Sequence, residues 1–385
     1  MDAALFRKSP AGTLALTEQS QFAFVPNPLP PLGIRYESVM YRLSNASTLL
    51  GHLAGAGRVF PNPYLLARPL QRKEAVASSS IEGTHTTLSD LFLFEARDDD
   101  SDSPPDTREV RNYVRALENA IESLDSIPIS TRMILKIHED LLHGLRRDRG
   151  GEVAPGHYKR HQNYIGGSSL AAARFIPSPP AEVSRLMGDL ENFINSVDNL
   201  GLPPLIHAAL MHYQFEAIHP FADGNGRVGR VLIPLMLKQM NAMQVPLLYL
   251  SPYIEERKDE YIETLFNVSA RGAWLEWIDF FLHAVEVTCE RTISKIYSLH
   301  NLNQSYLETI QKARNSALLR GLVNSCFSTP FTTIPLAQIT LGVTYRAAKN
   351  NIDKLVEAGI LTELADGKRP RLFYAQKVYN IVNQV

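Results

Sequence analysis

The chain has 385 residues, 45% hydrophobic and 21% charged, with a formal net charge of -1. That length exceeds one compact core and predicts roughly two to three domains. The near-zero charge excludes a global basic field that would draw the whole molecule onto nucleic acid, so any such role needs a local patch. The two cysteines, Cys289 and Cys326, stand far apart, which argues against a disulfide framework and suits a reducing compartment. No apolar run reaches about 18 residues, so no membrane span is expected. The N-terminus has no basic start followed by an apolar core, and a cytoplasmic location is the expectation.

In chain order, residues 1–35 carry Pro26, Pro28, Pro30 and Pro31 among short apolar pieces and read as an extended arm. A helix is predicted over Pro69–Gly83, with proline near its start and glycine at its end. The acidic, proline-containing stretch Arg97–Asp106 reads as a solvated loop. Helices follow over about 107–124 and 130–145. Gly150-Gly151 and Gly166-Gly167, with Asn163-Tyr-Ile165 and Arg174-Phe-Ile176, predict a short hairpin closed by Pro177, Pro179 and Pro180. A helix runs from Pro204, with Ile206, Ala209, Leu210, Tyr213 and Ala217 at helical spacing. Another carries Val228, Val231, Leu232 and Leu235 past Pro234 to Met240, with a kink rather than an end at the proline. The last 60 or so residues predict a helix over 334–342 and a second over 343–359 with Thr344 as N-cap and Gly359 as C-cap. Two strands, 360–364 and 371–375, complete a helix–turn–helix–wing order.

Between the two central helices lies His219-Pro-Phe-Ala-Asp-Gly-Asn-Gly-Arg-Val-Gly-Arg230. An imidazole can take a proton near neutral pH. A carboxylate can hold a hard cation. Glycines let backbone N–H groups reach phosphate oxygens at a helix N-terminus, and two guanidinium groups three residues apart can hold further phosphate charge. Gly224-Asn-Gly-Arg-Val-Gly229 also fits the dinucleotide fingerprint, but that fingerprint follows a strand, whereas the preceding residues run at helical period. A plain glycine-rich turn leaves His219 and Asp223 unexplained. His207 and His212 lack the spacing of a zinc helix pair, and they, His138 and His143 read as core or surface residues.

The stretch 219–230 resembles the signature of the Fic family, H-P-F-x-[DE]-G-N-G-R-x-x-R, at every fixed position. His138-Glu-Asp-Leu-Leu-His-Gly144, Pro155-Gly-His-Tyr158, Ile165-Gly-Gly167 and Phe175-Ile-Pro177 resemble the helix and target-docking flap of such proteins. The resemblance implies a mainly α protein. It would have an N-terminal helical segment (1–106), a Fic-type helical core with a short β-hairpin flap (107–298) and a C-terminal winged-helix domain (299–385). It implies transfer of AMP from Mg-ATP to a hydroxyl side chain of a target protein, including the chain itself. His219 would be the general base and Asp223 the Mg²⁺ ligand. Gly224, Asn225 and Gly226 would form the anion cradle, and Arg227 and Arg230 would hold the β- and γ-phosphates. Val228, Gly229, Tyr261 and Glu82 complete the expected nucleotide-binding set, with Tyr253 and Tyr261 near the adenine. Ile165, Gly166 and Gly167 would offer the flap's strand edge to the target by main-chain pairing.

Ser78-Ser-Ser-Ile-Glu-Gly83 is by composition a helix end with a glycine cap. It also resembles the family's inhibitory motif, with Ser78, Glu82 and Gly83 at its fixed positions and Glu82 directed at Arg230. The alternatives are a Fic-type enzyme that uses another nucleotide or removes AMP, and a winged-helix regulator or adaptor. Arg346, Lys349, Lys354, Lys368, Arg369, Arg371 and Lys377 outnumber Asp353, Glu357, Glu363 and Asp366 there, an excess that would suit DNA phosphates. The family resemblance makes a homodimer an expectation.

Overall fold

The computed structural model describes residues 1–57, 64–97, 104–145, 154–196, 200–311, 317–364 and 370–384. The expected extended arm is instead folded: a short helix α1 (Ala3–Phe6) precedes an antiparallel hairpin of β1 (Gly12–Leu16) and β2 (Phe22–Pro26), paired from Gly12↔Pro26 to Leu16↔Phe22. The prolines sit at or beyond the end of β2, where a missing N–H costs the ladder little. Phe24 on β2 is fully buried and its N–H donates to Ile176 O at 2.8 Å, so the hairpin backs the flap.

A turn of 3₁₀ helix leads into α2 (Met40–Ala56), followed by α3 (Tyr64–Ile81). Pro69, the expected start of this helix, lies inside it. Its end is as expected. Gly83 is left-handed (φ +88°), its N–H donates to Ser80 O, and Thr84 N–H donates to Ser79 O, the paired bonds of a Schellman turn. Next come α4 (Leu88–Arg97), α5 (Pro105–Ser123) and α6 (Thr131–Leu141), the last capped by Ser130, whose hydroxyl accepts from Met133 N–H. Most of the predicted acidic loop (98–103) and the Gly150-Gly151 pair lie outside the described residues. The predicted flap hairpin reduces to a single bridge, Ile165↔Phe175, with both main-chain bonds at 2.9–3.0 Å.

After α7 (Pro180–Asn195) come the two central helices, α8 (Pro204–Ile218) and α9 (Asn225–Gln239). The periodic stripe on α8 understates its burial: almost every side chain from Leu205 to Ile218 is inside, as for a helix surrounded on all sides. The following helix continues through Pro234 to Gln239, as predicted. Then come α10 (Ser251–Glu256), α11 (Lys258–Arg271), and α12 (Trp274–Gln311), which packs along α2 and runs without a break past residue 298.

The C-terminal elements are α13 (Ala317–Ser328), β3 (Phe331–Thr333), α14 (Ile334–Leu341), α15 (Tyr345–Glu357), β4 (Thr362–Leu364), β5 (Leu372–Tyr374) and α16 (Gln376–Asn383). The strands form an antiparallel sheet in the order β3-β5-β4. Thr344 caps α15 by accepting from Ala347 N–H, and Gly359 follows its end with φ +67°. One buried apolar cluster reaches from Phe6 to Val382. Among the described residues no helix is long and apolar enough to cross a membrane.

Candidate active site

The site lies where α8 gives way to α9. His219 ends α8 in a left-handed conformation (φ 52°, ψ 60°), its N–H still donating to Phe215 O at 2.9 Å. A non-glycine residue there is held by its surroundings, and such strain concentrates at working sites. The loop 219–224 is braced through its main chain. Asn225 exchanges two 2.8 Å bonds with the backbone of Phe221, and Asn163 Nδ2 donates to Phe221 O at 2.8 Å. Lys159 N–H donates to Pro220 O at 2.9 Å. His138 accepts from Gly156 N–H at Nδ1, which leaves the proton on Nε2 to donate to Asp223 O at 3.1 Å. The same ring stacks on Phe221 at 3.8 Å. Lys159, Asn163 and the bracing role of His138 were not read from the sequence, because each acts on backbone atoms far along the chain.

Burial, then the charge of Lys159, lowers the His219 ring to about 4, so it is neutral near pH 7. Its Nδ1 lies 3.3 Å from Glu216 O, which sets the proton on Nδ1 and leaves Nε2 as acceptor.

A cleft beside this ring is lined by Glu82, Ile165, His219, Gly226, Arg230 and Tyr261 among others. Arg230 is buried and held by the end of α3. Nε donates to Ser78 Oγ at 2.8 Å, and Nη2 donates to Ser78 O at 2.8 Å and to Glu82 Oε1 at 2.7 Å. Burial alone would raise the Glu82 carboxyl. The adjacent Arg230 outweighs it and holds the carboxyl below its ordinary value. Gly226 permits this approach, since a Cβ there would collide with Glu82 Oε1 and crowd Arg230. Lys258 donates to Ile81 O and ties α11 to the same helix end.

The other predicted residues divide. Gly224 is left-handed (φ +82°) and caps α9, beside Asp223, whose side chain is 41% exposed and whose Oδ1 accepts from Gly224 N–H at 2.6 Å. Arg227 is turned inward, paired with Glu109 of α5 and reaching Asp223 Oδ1 at 3.4 Å. Val228 packs into the core, and the Asn225 side chain is spent on the loop. Tyr261 reaches the cleft with its hydroxyl on His212 Nε2 at 2.8 Å. Tyr253 packs against Phe280 and His283 instead. Gly166 and Gly167 form the flap turn, with φ +66° and +112°. A hard cation bound through one carboxylate and a nucleotide's own oxygens suits this donor set, and among the described residues no cluster of three metal-binding side chains exists.

Two family models match the chain. The Fic/DOC family N-terminal model matches residues 40–122 and the Fic/DOC family model matches 128–237. Protein adenylyltransferase Fic of Drosophila sechellia is 34% identical over 163 residues, covering 42% of this chain and 31% of that protein. The Drosophila mojavensis protein of the same name is 37% identical over 109 residues, covering 28% and 19%. The chain thus matches a third or less of these relatives' length. A Fic family protein from Desulfovibrio desulfuricans G20 shares the fold at TM-score 0.56 and 20% identity over 90% of this chain and 98% of its own. Fic-1 from C. elegans does so at TM-score 0.51 and 20% identity, over 68% and 73%. The chain belongs to the Fic/DOC family.

Proposed function

We propose that this chain is a protein adenylyltransferase that moves AMP from Mg-ATP to a hydroxyl side chain of a target protein, and that Glu82 restrains it. The observation that carries the reading is the shared cleft: a neutral imidazole, a helix N-terminus and a buried arginine converge there, and the arginine is held by Glu82. His219 Nε2 takes the proton of the attacking hydroxyl. The N–H groups at the start of α9 receive phosphate oxygens. Asp223 would hold Mg²⁺, which when bound neutralises phosphate charge. Arg230 and Arg227 supply charge for the γ- and β-phosphates, and Arg227 also steadies Asp223. While Glu82 and Ser78 hold Arg230, the γ-phosphate has no partner. The bridged strand at Ile165 would align the target segment. Purified protein incubated with ATP labelled at the α-phosphate is expected to retain label, and with ATP labelled at the γ-phosphate to retain none. Retention of the γ-label would refute the reading.

We place the domain boundaries at 1–106, 107–298 and 299–385, with α12 bridging the second pair, and read the last unit as a winged-helix-like docking module. Lys349 and Arg371 are paired with Asp353 and Glu363, and Ile339 and Tyr345 are exposed, which favours a protein partner over DNA. Lys368 and Arg369 lie outside the described residues. A gel-shift titration against salt is expected to show no duplex binding at physiological ionic strength; a steep salt-dependent shift would restore DNA as the partner.

A further inference from the structure

His219 as held here is a weak base, because proton acceptors work best with a pKa near the working pH and burial takes this ring far below it. The group behind the ring is Glu216, one turn earlier on α8. Its Oε2 lies 3.8 Å from His219 Nδ1. Its Oε1 is buried without a hydrogen-bond partner, the one carboxylate oxygen so placed among the described residues. A buried polar atom left unpaired is costly.

Gly229 makes the space for that oxygen. A Cβ at 229 would collide with Glu216 Oε1. Position 229 is an open position of the signature, so the nucleotide chemistry does not demand glycine there. Glycine inside a helix costs roughly 0.5–1 kcal/mol against alanine, and here that cost preserves a seat for a carboxyl group next to the base.

We propose that Glu216 is a positioning residue for His219. Its carboxyl, seated against Gly229 and 3.8 Å from Nδ1, whose hydrogen goes to the Glu216 main-chain oxygen, stabilises as the carboxylate the imidazolium formed when Nε2 takes the target's proton. The inference rests on the adenylyl-transfer reading. In that step the target oxygen bonds to the α-phosphorus and its proton passes to His219 Nε2. The bond from the α-phosphorus to the bridging oxygen breaks, pyrophosphate leaves with the electron pair, and the imidazolium returns its proton to solvent.

The charged and titratable groups around Glu216 are His219 on its own helix, Arg230 from α9, Glu82 from the end of α3 and Tyr261 from α11. Burial, opposed by Arg230 and aided by Glu82, holds the Glu216 carboxyl up at about 8. Removing Glu82 removes one raising cause, so ionisation then comes at lower pH.

The test compares Glu82→Gly with Glu82→Gly/Glu216→Gln, using ATP labelled at the α-phosphate and Mg²⁺. The isosteric glutamine is expected to lower kcat about 10–100-fold, a part of what one proton-transfer group contributes. It should leave the KM for ATP within about twofold, as for a group acting only in the transition state. The rise in rate as Glu216 ionises, between about pH 6 and 9, should be lost. In an independent readout without ATP, the His219 ring resonances followed by NMR should shift as Glu216 ionises, and that step should be missing from the titration of the glutamine variant. Equal rates with the same pH profile, or identical His219 titrations, would overturn the proposal. If the Glu82→Gly parent transfers no AMP, the transferase reading fails and the NMR titration alone decides Glu216.

Discussion

His219→Ala is expected to abolish AMP transfer, by at least about 10²–10⁴-fold, the contribution of one positioned base, while ATP still binds. The separation follows from the geometry. Phosphate charge would be met by the start of α9, by Arg230 and by the cation that Asp223 would hold, and neither Arg230 nor Asp223 hydrogen-bonds the imidazole. The loop keeps its shape in the variant because Asn225, Asn163, Lys159 and His138 grip its backbone. Alanine at φ 52° meets the same left-handed strain as histidine, so the melting temperature should move little. Label from the α-phosphate measures transfer, and calorimetric titration with ATP measures binding. Undiminished labelling would remove His219 from the chemistry; lost binding would make it a structural residue.

Glu82→Gly is expected to raise auto-modification about tenfold or more, the factor reached when an inhibitory contact of about 1.4 kcal/mol or more is withdrawn. Arg230 then loses its carboxylate partner but keeps both bonds to Ser78. It stays ordered and becomes available to a γ-phosphate. Stability should fall. Breaking a fully buried pair costs about 3–5 kcal/mol; Glu82 is 36% exposed, and solvent screening brings the expectation nearer 1–2 kcal/mol. The variant should thus be more active and less stable than the parent, and ATP should restore part of its melting temperature by supplying the missing charge. A gain in stability without a gain in labelling would argue against the brake.

What was legible in the sequence was local. The run from His219 to Arg230 carries its chemistry in adjacent residues, and the Ser78–Glu82 pair is one helical turn with its glycine stop. Helix ends with their own caps, at Thr344 and Gly83, were legible for the same reason. What was not legible depends on residues brought together from far apart. Glu109 meets Arg227 across 118 positions and turns it inward, which no local pattern signals. Lys159 and His138 act on main-chain atoms, which carry no residue signature. The N-terminal hairpin was masked by prolines that lie at its margin rather than within it. Its alternation, Thr13-Leu-Ala-Leu16 against Phe22-Ala-Phe-Val25, was the available signal. Glu216 was hidden in an apolar helical run, and the glycine that houses it stood at an open position of the signature.

The intact mass of three proteins after incubation with ATP and Mg²⁺ tests the central claim most directly: the chain as it stands, Glu82→Gly, and Glu82→Gly/His219→Ala. The account predicts the added mass of AMP chiefly on the second and none on the third. No added AMP on Glu82→Gly, or equal addition on the double variant, would contradict it.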